Sequence, residues 1–160
     1  MRKILNIADS DSSGGASRAA YRIHKSINNC SPKNKYNSKL LVAEKNINDH
    51  SVLILKNSLS QKANLTYKKI KNKLLSLRYQ KLAKKQHIST AIRSNSIYQK
   101  YILKGFEKPD ITNIHWIDNS TLSIEEIPKI NSKVILTLHD QWAFSGAKHY
   151  NFYDNKFEPY

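Results

Sequence analysis

Ile4-Leu5-Asn6-Ile7-Ala8, then Asp9-Ser10-Asp11-Ser12-Ser13-Gly14-Gly15, then Ala16 to Asn28, then Leu40-Leu41-Val42-Ala43: these successive stretches decide the fold. The first and last are apolar runs of strand length. The third places Ala19, Ala20, Ile23 and Ile27 at helical spacing, which predicts one apolar face. Strand, glycine-containing turn, helix and strand form a βαβ unit, and the Asn-, Ser-, Pro- and Lys-rich segment from Cys30 to Ser38 reads as a loop. Three further apolar runs, Val52 to Leu55, Ile111 to Trp116 and Val134 to His139, are continuous rather than alternating. That is the pattern of strands covered on both faces in a parallel sheet. The fold class expected is α/β, a Rossmann-like parallel sheet with flanking helices.

At 160 residues the chain is long enough for one domain with a core and too short for two of ordinary size. Its single cysteine, Cys30, excludes an internal disulfide and a multi-cysteine zinc site. No apolar stretch approaches the roughly 20 residues that span a bilayer, and Met1-Arg2-Lys3 leads into a strand rather than a signal-peptide core. A cytoplasmic protein is therefore expected. The formal charge of +15 is concentrated: residues 1–49 carry nine Lys/Arg against four acids, residues 50–106 thirteen against none, and residues 107–160 five against eight. Such a block describes a surface and its partners rather than a fold.

Within the basic block, Tyr67, Ile70, Leu74 and Leu77 recur on one side of a predicted helix, with Lys68, Lys69, Lys71, Lys73 and Arg78 around the rest. A second helical piece over Ser94 to Leu103 stops at Lys104-Gly105, as a glycine cap would end it. A basic helical insertion spanning about 56–104 follows. Its charge reads as a solvated face, as a membrane-surface element with lysines on anionic headgroups, or as a nucleic-acid patch. Little arginine and no binding motif disfavour nucleic acid. Further on, Ser123 and Glu126 have capping-box spacing, with Pro128 keeping that helix short or kinked.

Two glycines at Gly14-Gly15 let the backbone approach a ligand closely, and the helix start behind them suits a phosphate or diphosphate. Arg18 stands one turn in. The alternative is a plain glycine turn. The turn lacks the G-x-G-x-x-G fingerprint, which disfavours a nicotinamide enzyme, and neither a G-x-S-x-G elbow nor a Walker loop occurs. At the end of the last apolar run, His139-Asp140 is either a capping pair or a group that hydrogen-bonds a sugar or moves a proton. His115-Trp116 repeats that placement on the neighbouring run, with Trp116 either core or a wall on which a sugar stacks. No His or Cys spacing suggests a metal site.

Ser12 to His24, Asn113-Ile114-His115-Trp116-Ile117, and Thr137 to Gly146 with His149-Tyr150 occur in an order that closely resembles the amino-terminal half of bacterial family 4 glycosyltransferases of the colanic-acid and exopolysaccharide type. The resemblance spans roughly Met1 to Tyr150, and the basic block is its least family-like part. It implies the amino-terminal, acceptor-side domain of a GT-B fold that faces a second Rossmann-like domain across a cleft. Such enzymes transfer a sugar from a nucleotide-sugar donor, with retention and without a bound metal or other cofactor, to a glycan or lipid-linked acceptor in cell-surface polysaccharide synthesis. It also implies that the Gly14-Gly15 loop approaches donor diphosphate and acceptor, and that His139 sits near the reacting centre with Asp140 beside it. The chain departs from the family at Lys148, where members usually carry cysteine. The complementing carboxyl-terminal domain, with its glutamate motif for the nucleotide sugar, has no counterpart in these residues, so the chain is expected to be inactive alone. A membrane-borne acceptor fits the basic surface, and a cytoplasmic protein peripheral on the inner face of the plasma membrane is expected.

Overall fold

All five apolar runs become strands, and every pairing between them is parallel. The computed structural model describes residues 1–30, 32, 35–54, 108–117, 121–122, 124–141 and 143. In chain order the elements are β1 (Arg2–Ser10), α1 (Gly14–Cys30), β2 (Tyr36–Glu44), β3 (Val52–Ile54), β4 (Ile111–Ile114), a 3-10 helix (Ile124–Lys129) and β5 (Lys133–Leu136). The sheet runs β3-β2-β1-β4-β5, an α/β Rossmann-like arrangement with β1 central. The expected helices over 67–78 and 94–103, and Ser123, lie outside the described residues.

The chain divides into two compact units, Met1–Leu55 with Thr90–His139, and Lys56–Ser89 with Asp140–Tyr160. The sheet belongs to the first. Of the second, only residues 140, 141 and 143 are described.

Strand side chains alternate between faces. On one face Ala8, Leu40, Val42 and Val52 form a core with Ala20 of α1, with Tyr21 packed at its margin. On the other, Leu5, Ile7, Leu41 and Ile114 are fully or almost fully buried. Each such side chain contributes about 1.5–3 kcal/mol by leaving water.

The buried face of α1 shares Ala20 with the one its apolar spacing predicts but is turned from it toward Ser17 and His24. Ser17, Ala20 and His24 are buried, while Ala19, Ile23 and Ile27 are only partly covered. The helix is turned because its polar groups find partners on the sheet. His24 reaches the hydroxyls of Ser38 and Ser51 at 2.9 and 2.8 Å, and the Asn28 amide pairs with the backbone of Ser38, accepting at 2.8 Å and donating at 3.1 Å. Burial against satisfied polar partners thus outweighed the isoleucines.

The last strand differs from expectation too. Val134, Ile135 and Leu136 are 37%, 49% and 46% exposed rather than covered on both faces. Among the described residues β5 stands at the end of the sheet and pairs with β4 alone, whereas α1 packs on β1 and β2. Position in the sheet decides the exposure of an apolar run, and sequence pattern alone does not carry position.

Leu40, on the core face of β2, is fully buried. Leu40→Ala is expected to cost about 2–5 kcal/mol in urea unfolding, whereas Ile135→Ala on the exposed edge should change stability by less than about 1 kcal/mol.

Candidate functional site

Strand order reverses between β1 and β4. The chain leaves β1 toward β2 and β3 on one side and later enters β4 and β5 on the other. Loops diverge at such a switch point and open a crevice beyond the carboxyl ends of the strands. Gly14, Gly15 and Arg18 follow β1, His115 and Trp116 follow β4, and His139 follows β5, so the candidate residues of the first unit stand at one edge of one sheet. Asp140 begins the later segment of the second unit, and Lys68, Lys69, Lys71 and Lys73 lie outside the described residues.

The glycine loop is shaped by Ser10 and Asp11. Ser10 Oγ accepts from the backbone N–H groups of Ser12 at 3.3 Å and Ser13 at 3.2 Å, ahead of α1. Gly14 then takes φ +80°, a backbone conformation open to glycine, and a Cβ on Gly14 or Gly15 would meet no described heavy atom within 4 Å. Fully buried Asp11 accepts from the amides of Asn46 at 3.0 and 3.1 Å and of Ile47 at 2.8 Å, which ties the loop after β2 to the glycine loop. Arg18 folds back along the helix, and its Nε donates to the Gly14 carbonyl at 3.1 Å. Its cation therefore stands beside the loop, as a diphosphate contact would require. Across the switch point, the N–H of Asp9 donates to the Trp116 carbonyl at 3.2 Å, and the indole is half-buried.

Beneath this edge runs a row of buried polar groups. Asn6, in the middle of β1, donates through Nδ2 to Ser38 Oγ of β2 at 2.8 Å, and its Oδ1 accepts from Asn113 Nδ2 of β4 at 3.2 Å. Asn113 Nδ2 also lies 3.1 Å from His115 Nε2, and Asn113 Oδ1 accepts from Thr137 Oγ1 at 2.8 Å. His115, 3% exposed, places Nδ1 3.0 Å from Nε2 of half-buried His139. The two rings have centroids 5.3 Å apart and planes inclined by 28°. The two histidines singled out on separate apolar runs are therefore joined directly.

Sequence reading missed Asn6, Asn113 and His24 as members of this site's support. The signal was present at the first two, since each is a lone amide inside an apolar strand, and a buried amide needs a partner. At the helix, His24 was passed over in favour of the isoleucines around it.

The far end of the row is anchored on Asp49. Its Oδ1 accepts from the N–H of Ser51 at 2.8 Å and from Ser51 Oγ at 2.6 Å, and its Oδ2 from Tyr21 Oη and Lys25 Nζ at 3.1 Å each. The Ser51 hydroxyl above all, then the Ser51 amide, Lys25 and Tyr21, hold the carboxyl well below the usual carboxylate range. Burial raises the Tyr21 phenol, and Asp49 adds to that rise.

Among the described residues no group of three or more His, Cys, Asp or Glu is arranged to hold a metal ion, and no helix is long and apolar enough to cross a membrane. No family model matches the chain, no curated protein matches it, and no solved structure matches it.

Burial pushes both His24 and His115 down to about 4, with His139 adding to the effect at His115. In the unfolded chain both take up a proton near pH 6.5, so between about 6.5 and 4 the unfolded state binds more protons. Stability is accordingly complete above about pH 6.5 and is lost as pH falls toward 4, by on the order of 3 kcal/mol per histidine. His24→Gln should remove about half of that loss in urea titrations run at neutral pH and near pH 4.5. Separately, Asp11→Ala is expected to cost about 1–3 kcal/mol and to speed hydrogen exchange at the Asn46 and Ile47 amides first.

Proposed function

We propose that this chain is the acceptor-side, amino-terminal domain of a retaining glycosyltransferase acting in cell-surface polysaccharide synthesis. The observation that carries the reading is that the Gly14-Gly15 loop, His115 and His139 all follow strands at the carboxyl edge of one parallel sheet, with His115 bonded to His139. These are the positions at which the three family-like motifs fall. In the transfer itself, the bond from the anomeric carbon to the nucleotide diphosphate breaks. A bond to an acceptor hydroxyl forms, and the hydroxyl proton is released.

Each part of this edge has work that suits it. The open glycine turn and the start of α1 favour the anionic diphosphate, with Arg18 alongside. His139 serves at the sugar, where a neutral imidazole can hydrogen-bond a hydroxyl or assist proton movement, with Asp140 next in the chain. Trp116 offers an aromatic face to the acceptor. A carboxyl-terminal donor-binding domain completes the cleft and grips the nucleotide, so transfer requires both. No metal and no other cofactor takes part in this reading, and the protein works at the cytoplasmic face of the membrane that carries its acceptor.

A second, non-enzymatic reading rests on the thirteen Lys/Arg and no acids of residues 50–106. A block of this kind docks on anionic membrane, and nucleic acid is the weaker partner because the block is poor in arginine.

Titration of a glycan acceptor into the isotopically labelled chain is expected to move the amide resonances of Gly14, Gly15, His115 and His139. Shifts confined to the β3 side of the sheet would remove the reading. With a donor-binding domain supplied, His139→Ala should lower sugar transfer from a nucleotide donor about 100-fold or more, and undiminished transfer would count against it. Charge reversal of Lys68, Lys69, Lys71 and Lys73 to Glu should release the chain from phosphatidylserine vesicles at low salt. Salt-sensitive binding of the unchanged chain to oligonucleotides and not to vesicles, lost on the same charge reversal, would favour nucleic acid as the partner.

A further inference from the structure

The buried polar row has a direction, and Asp49 sets it. An ionised carboxylate only accepts hydrogen bonds, so the single hydroxyl proton of Ser51 is committed to Asp49 Oδ1 at 2.6 Å. Ser51 Oγ can then only accept from His24 Nε2, 2.8 Å away, which makes His24 the Nε2–H tautomer and its Nδ1 an acceptor. The Ser38 hydroxyl donates to that Nδ1 at 2.9 Å. Having spent its proton, Ser38 Oγ accepts from Asn6 Nδ2 at 2.8 Å. This orients the Asn6 amide, and the Lys39 carbonyl, an acceptor only, lies on the same side of it at 3.5 Å.

The same logic continues across β4. Asn6 turns its oxygen toward Asn113, whose NH₂ group must answer it at 3.2 Å. The other proton of that NH₂ faces His115 Nε2 at 3.1 Å, so Nε2 is the acceptor and His115 carries its proton on Nδ1. His115 Nε2 and Asn6 Oδ1, 3.4 Å apart, are then two acceptors sharing one donor group rather than a bonded pair. The His115 Nδ1–H points at His139 Nε2, 3.0 Å away.

We infer that Asn113 and His115 are positioning residues for His139, the last links of a hydrogen-bond chain of fixed polarity that begins at Asp49 and holds His139 with its lone pair on Nε2 and its proton on Nδ1. Two observations make the chain strict. His24 and His115 are buried in surroundings that favour the neutral ring, so neither can satisfy both sides as a double donor. The links also come from six parts of the chain, namely the β2–β3 loop, α1, β2, β1, β4 with the residue after it, and the segment after β5, and a link reversed at one donor reverses those that follow it toward His139. The tautomer stands on this geometry together with the neutrality of the buried rings. Its consequence for sugar transfer rests on the function proposed above.

The test is a long-range proton–nitrogen correlation spectrum of the full chain labelled with ¹⁵N-histidine, recorded near neutral pH. The expected pattern is a protonated Nε2 at His24 and a protonated Nδ1 at both His115 and His139. A protonated Nε2 at His139 overturns the inference. In Asn113→Asp the new carboxylate only accepts, so His115 and then His139 should both switch to Nε2–H, while His24 keeps its pattern. A folded Asn113→Asp chain with an unchanged His139 also overturns it, and if that variant does not fold, the wild-type pattern decides alone. In the complete enzyme, switched tautomers should lower kcat about 10-fold or more with little change in KM for the acceptor. Switched tautomers with undiminished kcat would leave the chain standing and remove His139 from the reacting centre.

Discussion

Asn6 is the constraint on which the rest depends. It sits fully buried in the middle of the central strand, where a Leu or Val would ordinarily be expected. An unsatisfied buried amide costs about 1–3 kcal/mol for each group left unpaired. Asn6 is satisfied only if β2 brings Ser38 to one side and β4 brings Asn113 to the other. In the observed register Ser38 lies opposite Ile4 and Asn113 opposite Asn6. Slipping either strand by one residue would turn its polar group to the opposite face. The polar row therefore specifies strand register, while the apolar residues that alternate with it supply the driving force.

The same row divides one face of the sheet. Toward β3 the face is a hydrophobic core closed by α1, with Leu40, Val42, Ala8 and Val52. Toward β5 it carries Asn113, His115, Thr137 and His139, joined by hydrogen bonds rather than packed hydrocarbon. The switch point lies between the two halves, at β1 and β4. One side of the sheet thus gives rigidity, and the other presents oriented polar groups at the carboxyl edge. Groups held by buried partners keep their geometry when a ligand arrives, because the network has few alternative arrangements.

Acid sensitivity and site geometry share an origin here. The histidines that transmit polarity through the row are the ones that burial keeps neutral. Protonating His24 would give its Nδ1 a proton facing Ser38 Oγ, which already accepts from Asn6. Ser38 Oγ can accept from both, but its own proton would be displaced from the contact with His24, and the link between α1 and β2 would reverse its direction.

Much of this chain was legible in residue order. Continuous apolar runs marked all five strands, and the glycine turn with the helix behind it marked the βαβ unit, because buried parallel strands and helix starts have local chemical requirements. Placement of His115 and His139 at strand ends also followed from the sequence alone. What the tertiary structure decided is everything that depends on which strand neighbours which. The edge position exposes β5, the partners on β2 and beside β3 turn α1 to bury His24, and the pairing of β1 with β4 joins Asn6 to Asn113 and, through His115, to His139. Local spacing fixes which face of an element a residue occupies, but a hydrogen bond between residues more than a hundred positions apart exists only after the sheet has chosen its order.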